Sequence, residues 1–273
     1  MKTFTASRPG PVLLVLDLDH GAITVTVEDR EHAEITLTPL RPGDETAAEL
    51  IEGSTAEQHG QSWIITVPTA PGTDHHSVHG NVVVNQVFGT VTSTMIGIST
   101  SHSGQIIMGS PGDTTVSGGP VRAEIRLPQG SSVQADTVTA NLSTTGEVDL
   151  LRFRSTSGSL SAAAAAEVHA VTMSGEVTAW QTSTARVKTM SGAIQLASTK
   201  FASASTMSGA IRLTLAGGRA KADSTSGTVT VHATAPSTVD ISTMTGDVRL
   251  SAEDGASLRG NTSTVTGRIT RNL

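Results

Sequence analysis

The sequence predicts an all-β protein, a β-solenoid with an N-terminal β cap and an uncharged β-rich insertion. Two observations support this fold class. A short motif (Ser or Thr, then Gly, any residue and an aliphatic residue) recurs through the C-terminal half at nearly constant spacing. The composition contains only 2% aromatic residues and no Tyr. Apolar area therefore has to be buried in many thin layers rather than around large rings.

The spacing of the motif predicts one coil per repeat. Successive motif glycines are separated by 12, 17, 17, 17, 18, 19 and 21 residues. A period of 17 to 21 residues suits a coil of two short strands and two turns. The solenoid is therefore expected to run from about residue 140 to the C-terminus. The motif glycines are Gly146, Gly158, Gly175, Gly192, Gly209, Gly227, Gly246 and Gly267.

Apolar residues stand at fixed distances from each motif glycine. Ile211 and Leu213 lie two and four residues after Gly209, while Ala220 and Ala222 lie seven and five residues before the next glycine. Residues two positions apart share one face of a strand. Both pairs are therefore predicted to face a narrow core, with large side chains on one side and mostly Ala on the other.

A row of methionines stands two residues before the motif glycines, with the parity of the aliphatic pair that follows. We expect this row to point inward as flexible core filler rather than to form a soft-metal site. This inward orientation requires the chain to bend just upstream of the row. The glycines are expected to mark a bulge or a close approach of neighbouring coils. The row consists of Met173, Met190, Met207, Met244 and Val265.

Hydroxyl residues on either side of this row are expected to point outward as two parallel ladders. Such ladders suit exposed strand faces, and an ice-binding surface is a second alternative reading. The ladder residues are Thr172 and Ser174, Thr189 and Ser191, Thr206 and Ser208, Ser224 and Ser226, Thr243 and Thr245, and Thr264 and Thr266.

The N-terminal part predicts separate strands that close one end of the solenoid. Strands are expected near residues 12–15, 23–27, 33–38 and 63–67, and a loop or short helix around 46–51. A second set of strands is expected after Pro120, including 121–127. The predicted organisation is a cap at 1–72, an insertion at 73–118 and solenoid repeats at 119–273, together forming one continuous domain.

Residues 79–110 contain no Lys, Arg, Asp or Glu. Two interpretations remain open: extra coils of the solenoid, or an exposed strand segment through which copies of the chain associate. The open C-terminal coil, in which Arg268 and Arg271 are the blunting charges, is a second place for association. The self-association candidates in the segment are Val82, Val84, Val87, Phe88, Val91, Ile96, Ile98, Ile106 and Ile107.

Catalytic and metal-binding residue patterns are weak. His75, His76 and His79, beside Asp74, have a metal-ligand spacing, but no Glu general base accompanies them, and a solvated loop is favoured. The carboxylate pairs Asp17 with Asp19 and Glu147 with Asp149 share strand faces, yet a glycosidase also needs a cleft with aromatic platforms. We therefore expect neither a catalytic site nor a cofactor.

Charge and hydropathy exclude other classes. The net charge of −6 and the pI near 5.8 oppose nucleic-acid binding. No apolar run approaches the length of a membrane span, and no signal peptide is visible at the N-terminus, so a cytoplasmic protein is expected. The predicted function is a non-catalytic structural or interaction module, a homo-oligomer with a possible second protein as partner. A carbohydrate-binding or carbohydrate-active solenoid is the alternative.

The order of these motifs resembles the bacterial putative-adhesin family of β-strand-repeat proteins, known as domain of unknown function 4097. The resemblance covers residues 10–70 and 119–273, with residues 79–110 as an insertion. It implies a β-solenoid and carries no established catalytic residue, so none is transferred. The resemblance rests on the runs 21–27, 63–68 and 122–133, a strand ending at Pro39, and the repeated Thr-x-Ser-Gly-x-Ile units.

Overall fold

Seventeen strands and one helix make up residues 1–69 and 119–272, which the computed structural model describes. The N-terminal elements are β1 (Lys2–Thr5), β2 (Leu13–Asp17), β3 (Gly21–Glu28), β4 (Glu34–Pro39), α1 (Glu45–Glu52), β5 (Thr55–His59) and β6 (Ser62–Thr66). The C-terminal elements are β7 (Val121–Pro128), β8 (Ser132–Thr137), β9 (Asn141–Ser155), β10 (Leu160–Thr172), β11 (Val177–Thr189), β12 (Ile194–Ser208), β13 (Ile211–Ser226), β14 (Val229–Thr245), β15 (Val248–Ala252), β16 (Leu258–Thr266) and β17 (Ile269–Asn272).

The strands form two stacks that share one core, and the long strands β9 to β14 contribute to both. The first part of β9 pairs with β3, whereas its last part pairs with β8. At the other end, β14 pairs with β15 through its first residues and with β16 through its last. Each long strand therefore bends around one edge of the solenoid, as a coil of two short strands requires. The β-solenoid prediction is confirmed.

The first and second stacks can be listed by their pairings. The first stack runs β1, β4, β7, β3, the first parts of β9 to β14, β15 and β17. The second runs β5, β6, β2, β8, the last parts of β9 to β14, and β16. Pairing is parallel except at β1, β4 and β5.

Strands from both sides of residues 70–118 alternate in the first stack, where β7 lies between β4 and β3, and β3 lies between β7 and β9. In the second stack they meet once, where β2 pairs with β8. The helix α1 connects β4 to β5 and packs against the core in these first coils. Its N-cap Asp44 accepts a hydrogen bond from Ala47 N at 2.9 Å, and Ala47 and Ile51 are fully buried. The domain boundaries at 72 and 118 stay predictions, but the first coils clearly use strands from both N- and C-terminal parts.

The predicted core rows are confirmed. Ile211 and Leu213 on one stack, and Ala220 and Ala222 on the other, are each at most 2% exposed. The equivalent residues of the neighbouring coils are buried as well. The strands expected at 23–27 and 63–67 are present as β3 and β6. The edge strands β1 and β5 were not predicted, since their sequences, KTFT and TAEQH, carry few apolar residues.

The inward prediction for the methionine row is wrong. Met173, Met190 and Met207 are 49%, 45% and 55% exposed, and Met244 and Val265 are more exposed still. The strand continues straight past the expected bend, so the residue three before each motif glycine, such as Thr172, points inward instead. The chain bends only after that residue. Moving the bend by a few residues reverses the face on which the methionines lie.

Candidate interaction surfaces

A cluster of cations covers the outward side of the second stack. Cross-strand pairing places Arg152, His169 and Arg186 on one row, and Arg154, Val171 and Lys188 on the next. The side chains of neighbouring strands are separated by about 4.8 Å. We call the six cations on the second-stack parts of β9, β11 and β13 the basic face: Arg152, Arg154, Arg186, Lys188, Arg219 and Lys221.

Four carboxylates compensate part of this charge: Glu167 and Asp223 within the face, Asp136 beside Arg154, and Asp240 beside Lys221. Glu167 Oε1 accepts from Arg186 Nη1 at 2.8 Å and lies 2.6 Å from His169 Nε2. The hydrogen bond with His169 is the main cause that holds the pKa of Glu167 below its ordinary value, and the charges of His169 and Arg186 lower this pKa further. Lys221 Nζ lies 3.5 Å from Asp223 Oδ2. Within the described residues, Arg152, Arg154 and Lys188 form no ion pair with a carboxylate.

Exposed apolar side chains border the basic face. Arg186, Lys188 and Met190 alternate along β11 and into its turn, and all three point to solvent. The methionines of consecutive coils occupy equivalent positions, because Thr172, Thr189 and Thr206 pair in register. Val171 and Phe201 lie among the cations and are 51% and 56% exposed. Hydrophobic and cationic groups therefore share one outward surface.

The buried hydroxyl row corrects the prediction of two outward ladders. Thr172, Thr189, Thr206, Ser224 and Thr243 are between 3% and 8% exposed. The other ladder, which begins with Ser174 and Ser191, does face solvent. A paired Thr-x-Thr surface for ice binding is therefore absent from these coils, because the strand parity that exposes the methionines buries their threonine neighbours.

The buried hydroxyls divide into two groups by their hydrogen bonds. Thr189 Oγ1 accepts from Gly192 N at 2.9 Å, and Thr172 Oγ1 accepts from Gly175 N at 3.0 Å. At Gly209, Gly227 and Gly246, the motif glycine donates instead to a carbonyl of the following coil, as Gly209 N does to Ser226 O at 3.2 Å. The hydroxyls of Thr206, Ser224 and Thr243 are then left without a partner among the described residues.

This difference predicts opposite effects of the same substitution. Thr189→Val is expected to lower the free energy of unfolding by about 1–3 kcal/mol, because the buried Gly192 N–H loses its acceptor. Thr206→Val is expected to be neutral or stabilising, because it removes a buried hydroxyl that forms no hydrogen bond. Urea titrations followed by circular dichroism measure both. Equal losses at the two positions would contradict this division of roles.

The carboxylates that the sequence offers as weak catalytic candidates have different surroundings in the structure. Asp19 Oδ2 accepts from Thr69 Oγ1 at 2.7 Å, and Asp17 pairs in register with Asp136 of β8. Glu147 lines a shallow groove of about 320 Å³ with Lys200 and small residues of β10 to β13. The groove's described lining contains no second carboxylate and no aromatic ring.

The remaining sequence candidates cannot be placed. The possible metal ligands His75, His76 and His79 lie outside the described residues, and so do the self-association candidates from Val82 to Ile107. In the parts that are described, no three His, Asp or Glu side chains come close enough to hold a metal ion. Nor does any helix there have the length and apolar character to cross a membrane.

The two ends of the solenoid differ in their balance of charges. At the cap end, α1 exposes Glu45, Glu49 and Glu52, with Arg41 exposed just before it. At the other end, β16 and β17 and the turn between them expose Arg259, Arg268 and Arg271, while the turn before β16 exposes Glu253 and Asp254. Within the described residues, β16 and β17 are each hydrogen-bonded along one edge only, to β14 and β15.

The last coil also ends the apolar core. Its register places Gly260 beside Val239, Thr262 beside Ile241, and Arg271 beside Leu250. Polar residues thus occupy positions that are apolar in the preceding coil. Terminal repeats with a polar outer face, and inward-pointing charges on edge strands, are known ways to blunt an open end. The last coil therefore has a largely polar outer face, in which Val265 and Ile269 are the exposed large apolar residues.

Two stacks of mostly parallel strands around a thin core, with a short helix packed on the first coils, define a β-solenoid repeat protein. The family model of Toastrack DUF4097 matches residues 73–273. Since this is more than half of the chain, the protein belongs to the Toastrack DUF4097 family. The resemblance inferred from the motifs is thereby confirmed.

Solved structures share this fold across nearly the whole chain. A putative adhesin from Parabacteroides distasonis has 8% identity and a TM-score of 0.56, covering 99% of this chain and 97% of that chain. A putative adhesin from Parabacteroides merdae has 11% identity and a TM-score of 0.52, covering 100% and 96%. At such identities the similarity is evidence for the fold alone. No curated protein matches the sequence.

Proposed function

We propose that the protein is a non-catalytic structural and interaction module whose copies associate end to end. One observation carries the proposal: within the described residues, β16 and β17 leave one edge of each stack unpaired, whereas the coils from β9 to β13 are paired on both sides. An unpaired edge offers backbone N–H and C=O groups to another chain. The proposal also agrees with the Toastrack family, which is not a known enzyme class.

Charge complementarity favours the cap end of a second copy as the partner. The acidic surface of α1 and the arginines of the last coil lie at opposite ends of the solenoid. A like-with-like contact would bring arginines against arginines, whereas a head-to-tail contact pairs opposite charges. Head-to-tail contacts are heterologous, and they form rings or open filaments rather than closed dimers. The polar last coil makes charge, rather than a continued apolar core, the attraction between copies.

The test is the molar mass in solution. We expect light scattering coupled to size exclusion to show species above 27.9 kDa that dissociate on dilution and at high salt. A constant mass of 27.9 kDa over a wide dilution range would exclude self-association.

Charge reversal then tests the head-to-tail contact. Arg259→Glu with Arg268→Glu is expected to give monomers, and so is Glu45→Lys with Glu49→Lys. A chain that carries all four changes is expected to associate again, because both ends are reversed together. Arg122→Glu with Arg212→Glu, on the outward side of the first stack, is the control for the arginine pair, with the same change in net charge, and is expected to behave as wild type. If the reversed chains still associate, residues 73–118 become the remaining candidate.

A further inference from the structure

The basic face and its apolar border form one amphipathic surface, which the proposed end-to-end contact leaves uncovered. Along β11 the exposed residues read Arg186, Lys188 and Met190. The neighbouring coil adds Val171 and Met173, which are about half exposed. Cations and apolar side chains are thus interleaved on the outward side of the second stack. Exposed apolar groups in such a pattern mark an interaction site.

The charge on this surface opposes that of the whole chain. The chain carries a net charge of −6, yet the basic face has six cations against four nearby carboxylates, Glu167, Asp223, Asp136 and Asp240. Unspecific attraction of this protein to an anionic surface is therefore unfavourable. An anionic partner is attracted only where cations are concentrated, within about a Debye length of 10 Å at 0.1 M salt.

We propose that this surface binds the anionic headgroups of a lipid bilayer, with the exposed methionines and Phe201 entering the headgroup region. Cations alone would suit any polyanion. The apolar border distinguishes a bilayer from a soluble polyanion, because thioether and aromatic side chains gain free energy only on leaving water for an apolar environment. The protein binds as a peripheral protein, with no spanning segment.

The geometry of the stack suits a planar partner. The basic face extends over the five strands β9 to β13, which are in register and roughly 4.8 Å apart, so that it covers about 19 Å. Its rows run parallel, with the methionine row along one margin and Phe201 near the other. A bilayer surface can contact all of these rows together. A single extended polymer chain, in contrast, can follow only one or two of them.

Vesicle flotation of the purified full chain tests the proposal. We expect binding to vesicles of phosphatidylcholine mixed with phosphatidylglycerol, weakening as salt rises, and no binding to phosphatidylcholine alone. Arg154→Glu with Lys188→Glu is expected to lower the partition coefficient at least about thirtyfold. The control, Arg122→Glu with Arg212→Glu on the first stack, has the same net charge and is expected to bind as wild type. Arg154→Gln with Lys188→Gln gives a milder second variant, and circular dichroism verifies that each one is folded.

The methionines provide an independent test. Met173→Ser with Met190→Ser is expected to lower partitioning roughly fivefold without changing its salt dependence. The matched control is Met244→Ser with Val265→Ser, in the same row but beside Asp240 and Ser242 rather than cations. It is expected to have no effect.

The following results would overturn the proposal. Absent binding, or equal binding to neutral and anionic vesicles, would exclude headgroup recognition. An equal loss in the charge-reversed control would place binding elsewhere on the chain. If soluble polyphosphate binds and competes with vesicles while the serine variants bind normally, the surface recognises a soluble polyanion and not a bilayer.

Discussion

Replacing Gly192 by Ala is expected to lower the free energy of unfolding by about 3 kcal/mol or more, a large part of the stability of a typical domain. A Cβ atom at this position would lie 1.9 Å from Gly175 O and 2.7 Å from Gly175 C. Both are backbone atoms of the preceding coil, so no side chain can rotate away. The two coils would have to separate locally, and their core residues would lose packing.

The glycines form a continuous column through the solenoid. Gly175 meets the carbonyl of Gly158 in the same way, and Gly209 meets that of Gly192. Since φ is not in the left-handed region at Gly192, the requirement here is space and not backbone conformation. The close approach expected at the motif glycines is therefore present in the structure.

Urea titration and hydrogen exchange measure the effect of Gly192→Ala. Ser191→Ala, at the exposed neighbouring position, is the control and is expected to change stability by less than about 0.5 kcal/mol. Because each coil contacts only its neighbours, exchange should increase first in β10 to β12. Equal stability of Gly192→Ala and Ser191→Ala would contradict the requirement for space.

The fold could be predicted from the sequence because each coil has the same pattern of buried positions. Ile211 and its equivalents lie at the same distance from each motif glycine, so an error in assigning the buried face would have appeared in every coil. The methionine row failed for a related reason. Parity indicates which residues share a face only while the strand is straight, and the position of the bend near Thr172 is set by packing against the next coil.

The basic face was not predicted, although its signal is present in the sequence. Arg152 and Arg154, Arg186 and Lys188, and Lys221 recur six and four residues before the motif glycines. Overall charge concealed the pattern, since acidic residues elsewhere give a net charge of −6. Aligning the coils on their glycines before counting charges would have identified it. The pairing that brings β9 and β13 to one surface, however, requires the three-dimensional stack.

The different balance of charges at the solenoid ends also required the structure. Arg268 and Arg271 were recognised as blunting charges, but the acidic partner surface depends on α1, which was predicted only as a loop or short helix. The packing of Ala47 and Ile51 against the core orients this helix, and that orientation exposes Glu45 and Glu49. Long-range packing of this kind cannot be read from local patterns.

Removing an aliphatic side chain from the core is expected to have the second large effect. Ile211, in β13, is fully buried. It pairs in register with Ile194 of β12 on one side and with Val229 of β14 on the other. Ile211→Ala is expected to lower the free energy of unfolding by about 2–5 kcal/mol, from lost burial and the cavity that remains. A thin core has few side chains that can move into that cavity.

Met207→Ala is the matched control, because it shortens an apolar side chain four residues away on the outward side of the same coil. Met207 is 55% exposed, so the expected change is below about 0.5 kcal/mol. Urea titrations of the two variants and the wild type, followed by circular dichroism, give the comparison. A loss at Met207 as large as that at Ile211 would return the methionine row to the core, and the amphipathic surface beside the basic face would lose its apolar margin.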